Sequence, residues 1–134
     1  MRGIRMKIEA VEHITINVKD LERTIQFYGG VLGLEQLPFV EMEGQTIYYF
    51  LLPGGTRLDL IHYESDTANF DGNELAAGSC RHFAFLVEDM EQTVHELEAA
   101  GYPFHLPPAY SEELGCVCGL MRDPNGFELE FVER

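Results

Sequence analysis

Basic residues are scarce in this chain: nine Lys and Arg stand against 23 Asp and Glu, a formal charge of −14. A phosphate backbone or an anionic bilayer is bound through a basic face, so nucleic acid and membrane surfaces are excluded as partners. Cysteine is sparse too. Cys80, Cys116 and Cys118 cannot all pair, and an odd count without a secretory signal reads as reduced thiols and no structural disulfide. Long apolar runs are missing, since no segment approaches the length that spans a bilayer, and Met1 to Lys7 holds basic residues without the apolar stretch of a signal peptide. The expected compartment is the cytoplasm. What is present is the balance of a globular protein, 46% apolar and 24% charged. A chain of 134 residues can bury one real core but not two independent ones.

The chain contains the same unit twice. His13-Ile-Thr-Ile-Asn-Val-Lys-Asp20 is matched in type and spacing by His82-Phe-Ala-Phe-Leu-Val-Glu-Asp89. Each copy opens with a histidine on an alternating strand and places an aspartate seven positions later, before a helical pattern. The far ends also correspond: Pro53 to Ile61 lines up without gaps against Pro124 to Val132, which sets Asp59 opposite Glu130. Two copies of a long unit indicate a duplicated domain rather than a solenoid.

In the first copy Ile14, Ile16 and Val18 point to one side and His13, Thr15 and Asn17 to the other. Asp20 is a good N-cap, and Leu21, Ile25, Tyr28 and Leu32 recur at helical spacing until Gly33, so a helix can cover the apolar side. Residues 35–42, 45–52 and 56–61 read as strands separated by Glu43-Gly44 and Pro53-Gly54-Gly55. In the second copy Asp89 caps a helix that ends at Gly101. Residues 102–106 are expected as a short strand, 107–114 as a loop, and 115–121 and 127–132 as strands. The fold class is therefore α+β, two tandem βαβββ modules. One domain, 1–134, is divided into module 8–63, joint 64–79 and module 80–134.

Strand parity then predicts the site. Leu58 and Leu60, like Leu129 and Phe131, belong to the core, so Asp59 and Glu130 face the open side that carries His13 and His82. Two imidazoles and two carboxylates suit a divalent first-row metal, with water or substrate completing the shell. Such an ion polarises a carbonyl while a carboxylate beside it moves a proton. A strand histidine is more often packed or solvated than ligating. A polar residue kept at the same open-face position twice points instead to a site shared by the two halves. His62 lies on the opposite parity and His95 on the second helix, so both read as structural or solvated, and His105 is ambiguous. Cys116 and Cys118 share a strand face and read as reduced thiols ahead of a metal or redox role. Arg57 is either an anion clamp for substrate or the partner of Asp59. Tyr48, Tyr49 and Phe50 lie near the expected cleft.

His13 to Tyr28 followed by Val31-Leu-Gly-Leu34, Arg81-His-Phe-Ala-Phe85, and Asp123-Pro-Asn-Gly-Phe-Glu-Leu-Glu130 together resemble the vicinal oxygen chelate superfamily, the glyoxalase, bleomycin-resistance and extradiol-dioxygenase group. The resemblance covers nearly the whole chain. It implies modules that curl into a mixed sheet around a cleft holding a metal. It also implies a glyoxalase I-like lyase acting on a thiol–aldehyde hemithioacetal, with His13, Asp59, His82 and Glu130 at the four ligand places. Asp59 and Glu130 are then the candidate proton-transfer groups, and Asn17, Tyr49 and Arg57 candidate substrate contacts. The ion would be nickel, zinc, manganese, cobalt or iron, the partner a small-molecule substrate, and the assembly a homodimer. Two departures stand out. Asp59 occupies a place usually held by glutamate and is one methylene shorter, so it reaches the ion directly or only through water. Asn17 stands where an arginine commonly meets the glutathione carboxylate. With Asp59 left out, His13, His82 and Glu130 resemble the site of ring-cleaving dioxygenases or thiol transferases, and metal-free drug-binding proteins belong to the same superfamily.

Overall fold

The computed structural model describes Gly3 and residues 6–134.

Strand β1 (His13–Val18) buries Ile16 and Val18 and leaves His13, Thr15 and Asn17 exposed, the alternation of a half-covered strand. Asp20 accepts from Arg23 N at 3.1 Å and so caps α1 (Leu21–Ile25). The helix then widens into a π-helical segment over Gln26–Val31, where Leu32 N donates to Phe27 O, five residues back. This departs from the regular helix expected to Leu32. The side chains fully buried are Thr24, Phe27 and Tyr28, not Leu21 and Ile25. A π-bulge inserts a residue and rotates the face that follows it. Gly29 passes so near the core that an added Cβ would lie 3.2 Å from Phe50.

Strands β2 (Glu35–Met42), β3 (Gln45–Leu51) and β4 (Arg57–Tyr63) complete the first sheet in the order β1-β4-β3-β2, with β1 parallel to β4 and the other pairs antiparallel. The second half repeats this arrangement. Strand β5 (Phe83–Leu86) is followed by α2 (Met90–Ala99), capped by Asp89 through Gln92 N at 3.0 Å. Strands β6 (Leu106–Ser111), β7 (Cys116–Arg122) and β8 (Glu128–Glu133) then give the order β5-β8-β7-β6, with β5 parallel to β8. The protein is thus α+β, two mixed four-stranded sheets of identical topology that are not closed onto each other.

Two local expectations are corrected. Residues 102–105 are not a strand, and much of the expected 107–114 loop is β6, paired to β7. Pro107 and Pro108 fall in the register shift between Leu106 and Ala109, on the edge strand of the sheet, where a missing N–H removes no ladder bond. His82 stands just before β5 rather than opening it.

One core serves both halves. Phe27 and Tyr28 of the first unit share a cluster with Met121, Leu129 and Phe131 of the second, and the Phe27 and Tyr102 rings meet at 4.7 Å. Fully burying each such side chain contributes about 1.5–3 kcal/mol. Polar ties lock the same seam. Tyr28 OH donates to Asp123 Oδ2 at 2.7 Å, Lys19 N donates to Asn125 Oδ1 at 3.0 Å, and Asn125 Nδ2 donates to Thr24 Oγ1 at 3.0 Å. The unpaired edges of β1 and β5 flank an apolar groove of about 450 Å³ lined by Ile14, Leu52, Phe83 and Phe85. Among the described residues no helix is long and apolar enough to cross a membrane.

Candidate metal centre

The parallel register of β1 with β4 sets Thr15 opposite Asp59, so His13 and Asp59 lie diagonally on one face. His13 Nε2 is 3.9 Å from Asp59 Oδ2, while its Nδ1 bonds Glu12 Oε2. In the second half β5 and β8 set Ala84 opposite Glu130. His82 Nε2 is 3.8 Å from Glu130 Oε1, and its Nδ1 bonds Glu128 Oε1 at 3.1 Å. Both imidazoles therefore have Nδ1 tied to one carboxylate and Nε2 turned toward another. Fixing one ring nitrogen sets the tautomer and leaves the other with a lone pair, as ligating histidines require.

The carboxylates differ between the halves. Asp59, 6% exposed, is gripped by Arg57, with Nε to Oδ1 at 2.7 Å and Nη2 to Oδ2 at 3.1 Å. Arg57 also approaches Glu12 at 3.4 Å and stacks over the Tyr49 ring at 4.3 Å. The hydrogen bond to Asp59 raises the Arg57 pKa above its already high value. Glu130, 22% exposed, accepts no hydrogen bond among the described residues.

Beside Glu130 lies a cluster of ion pairs. Glu128, 2% exposed, bonds Arg81 and His82 through Oε1 and His105 Nε2 through Oε2 at 2.9 Å, with Arg122 at 3.8 Å. Glu74, from the joint, bridges the two arginines, 3.1 Å from Arg81 and 2.6 Å from Arg122. Burial alone would raise the Glu128 carboxyl. The His105 hydrogen bond, Arg81 and His82 outweigh it and hold the group below the usual range. Glu12 is lowered too, chiefly by its His13 hydrogen bond.

The two pairs stay apart. Among the described residues no three His, Cys, Asp or Glu side chains converge where an ion would sit. Of the remaining candidates, Asn17 Oδ1 accepts from Tyr63 OH at 3.0 Å and lines a cleft of about 700 Å³ with Lys19, Phe70, Arg122 and Asn125. Tyr49 pairs with Asp59 across β3 and β4, whereas Phe50 is fully buried. All three cysteines are free. Cys118 shares the Glu130 face, and burial followed by the Glu130 charge raises its thiol pKa. Among the described residues His62 and His95 form no side-chain hydrogen bond or ion pair with either pair. Sequence reasoning gave no role to Glu12, Arg81 or Glu74, set Glu128 on the open face without a role, and left His105 ambiguous. The signal for three was available: Glu12 and Arg81 each precede the histidine, and the ungapped alignment sets Arg57 opposite Glu128. Nothing local marks Glu74.

Fold and site define a class: a duplicated α+β protein that presents one histidine–carboxylate pair on the open face of each βαβββ unit. The chain belongs to the Glyoxalase/Bleomycin resistance protein/Dioxygenase superfamily, whose family model matches residues 10–131. It is 27% identical over 123 residues to lactoylglutathione lyase GLX1 of Arabidopsis thaliana, a match covering 91% of this chain and 43% of that protein. It thus spans less than half the length of that relative. Among solved structures, a glyoxalase family protein from Enterococcus faecalis superposes with a TM-score of 0.80 at 25% identity, over 96% of this chain and 100% of the other. The trypanothione-dependent glyoxalase I of Leishmania major gives 0.73 at 25% identity, over 94% and 87%.

Proposed function

We propose that the protein is a metal-dependent lyase of the glyoxalase I type that isomerises a thiol–aldehyde hemithioacetal. In this reading His13, Asp59, His82 and Glu130 hold a divalent ion. The observation that carries it is the matched geometry of the two pairs, each imidazole with Nδ1 tied and Nε2 3.8 or 3.9 Å from the module's own carboxylate. The donor set fits: two neutral nitrogens and two carboxylates balance a first-row dication. When bound, such an ion supplies Lewis-acid polarisation of the substrate oxygens.

The chain's own residues divide the remaining work. Glu130 has free lone pairs and partial solvent access, so it takes the proton from one substrate carbon and returns it to the next. Asp59, locked by Arg57, holds its place. Because the two pairs stay apart, we propose a homodimer in which the first unit of one chain meets the second unit of its partner, module 8–63 facing module 80–134 across the interface. Metal-replete protein assayed with glutathione and bacillithiol hemithioacetals of methylglyoxal tests the reading. Absence of turnover with both overturns it. Activity restored by mixing inactive His13→Ala and Glu130→Ala chains supports the shared site.

One observation favours a second reading. Both Asp59 oxygens are engaged by Arg57, which leaves His13, His82 and Glu130 as a two-histidine, one-carboxylate set of the kind that serves iron in oxygenases. Iron-dependent oxygen uptake with catechols, unaffected by Asp59→Asn, would select it.

A further inference from the structure

The two halves present matching histidines, yet the charges behind them are reversed. The residue before the histidine is Glu12 in the first half and Arg81 in the second. The residue two before the candidate ligand carboxylate is Arg57 in the first and Glu128 in the second. Each half thus forms an ion pair at the same two places with opposite polarity, Glu12 with Arg57 and Arg81 with Glu128.

Reversal changes what the pair grips. In the first half the arginine fixes the candidate ligand carboxylate and an exposed Glu12 meets the imidazole; the Glu12 side chain is 70% exposed. In the second half the group opposite Arg57 is a carboxylate, and it fixes the imidazole instead. Its surroundings are rigid: His105 is bonded to its far oxygen, Arg81 to its near one, Arg122 stands alongside, and Glu74 clasps both arginines. A buried carboxylate with so many partners has few other places to go.

We propose that Glu128 is a positioning residue of the second half-site, a buried carboxylate braced by His105 and Arg81 that holds His82 Nδ1 and so presents Nε2 beside Glu130. The claim rests on His82 being a metal ligand as proposed above. His105, 23 residues from Glu128 in sequence, acts through it.

Glu128→Asp keeps the charge among its cations but retracts the carboxylate by one methylene from His82. Two measurements on the full chain read the result: nitrogen NMR of the imidazoles in metal-free protein, assigned against His82→Asn, and titration with cobalt(II) alone. Wild type is expected to hold His82 in the Nδ1–H tautomer. The variant is expected to lose that single tautomer and bind cobalt about 10- to 100-fold more weakly, the range for groups that orient a ligating histidine. Glu12→Gln, at the exposed counterpart, should weaken cobalt binding by a smaller factor. A folded Glu128→Asp with wild-type cobalt affinity overturns the proposal. If wild type itself binds no cobalt, the metal reading falls and the tautomer alone decides: its loss in Glu128→Asp upholds the positioning role, and its persistence ends it. Should Glu128→Asp not fold, His105→Gln removes the outer brace, and an unchanged tautomer and affinity there overturn the proposal equally.

Discussion

The first half-site is open and the second is enclosed, although topology, register and histidine geometry are the same. His13 and Glu12 stand largely in solvent, whereas His82 leans on a Glu128 that is 2% exposed. The candidate ligand carboxylates show the reverse, with Asp59 buried and doubly bonded and Glu130 free. A repeated strand pattern therefore copies where a side chain points but not what holds it. Each half braces one member of its pair with buried partners and leaves the other more exposed to solvent. The carboxylate without a hydrogen bond among the described residues belongs to the half whose imidazole is braced.

The sharpest way to break this asymmetry is to remove one carboxyl charge at a time. Glu130→Gln is expected to lower kcat about 10²- to 10⁴-fold, the usual contribution of a positioned proton-transfer group. Asp59→Asn should act mainly on metal affinity, because Arg57 already holds both its oxygens. Steady-state kinetics with parallel metal titration separates them. Equal losses of kcat would abolish the proposed division of labour.

Stability supplies the next largest effect. The helices are not equivalent: α1 and its π-helical continuation insert Phe27 and Tyr28 into the shared core, while α2 contributes Met90 and Leu97. Phe27→Ala should destabilise by about 3–5 kcal/mol and Leu97→Ala by about 2–5. Both should unfold in one cooperative urea transition, since a single cluster spans the seam. Two resolved transitions would mean that the halves fold independently.

Much of this was legible in the sequence, for a definable reason. Period-two alternation and the ungapped match of 53–61 with 124–132 set His13 on the face of Asp59 and His82 on the face of Glu130, and the structure places each histidine within 4 Å of its own module's carboxylate. The same parity put Glu128 on the open side, where it is nonetheless buried. Its cover comes from Glu74, His105 and Arg122, brought together by packing between segments distant in the chain. Alternation along one strand carries no information about them. The π-helical widening at Gln26–Val31 escaped because apolar spacing reads the same for either helix, and β6 escaped because consecutive prolines imitate a loop when the strand lies at an edge.

The seam between halves has its own titrating group. Burial raises the Asp123 carboxyl above its ordinary value of 3.8, against the hydrogen bonds from Tyr28, Asn125 and Phe127 that pull it down. A raised folded-state pKa means that the native protein binds this proton more tightly than the unfolded chain. The stability it contributes is complete below the unfolded value and is lost as pH rises through the folded one. Asp123→Asn should therefore flatten the decline in urea midpoint above about pH 4. Tyr28→Phe, which removes one donor from the buried carboxylate, should cost about 1–3 kcal/mol near neutral pH. A variant that steepens the decline would show that Asp123 is lowered, not raised, by its surroundings.

The smallest effect tests the duplication itself. Gly33 and Gly101 end the two helical segments with φ of +73° and +92°, and an added Cβ at either would meet nothing within 4 Å. Past them, Tyr102 N closes onto Leu97 O five residues back, while Leu34 N closes onto Tyr28 O six back. The extra residue is the one inserted by the π-helical segment. Because neither site is crowded, alanine brings only the left-handed backbone penalty of about 1–2 kcal/mol. Gly33→Ala and Gly101→Ala should lower stability equally if the segments end in the same backbone state. A smaller loss at Gly33 would mean that the widened turn relaxes to accept the side chain, and the symmetry of the two modules would then stop at their helices.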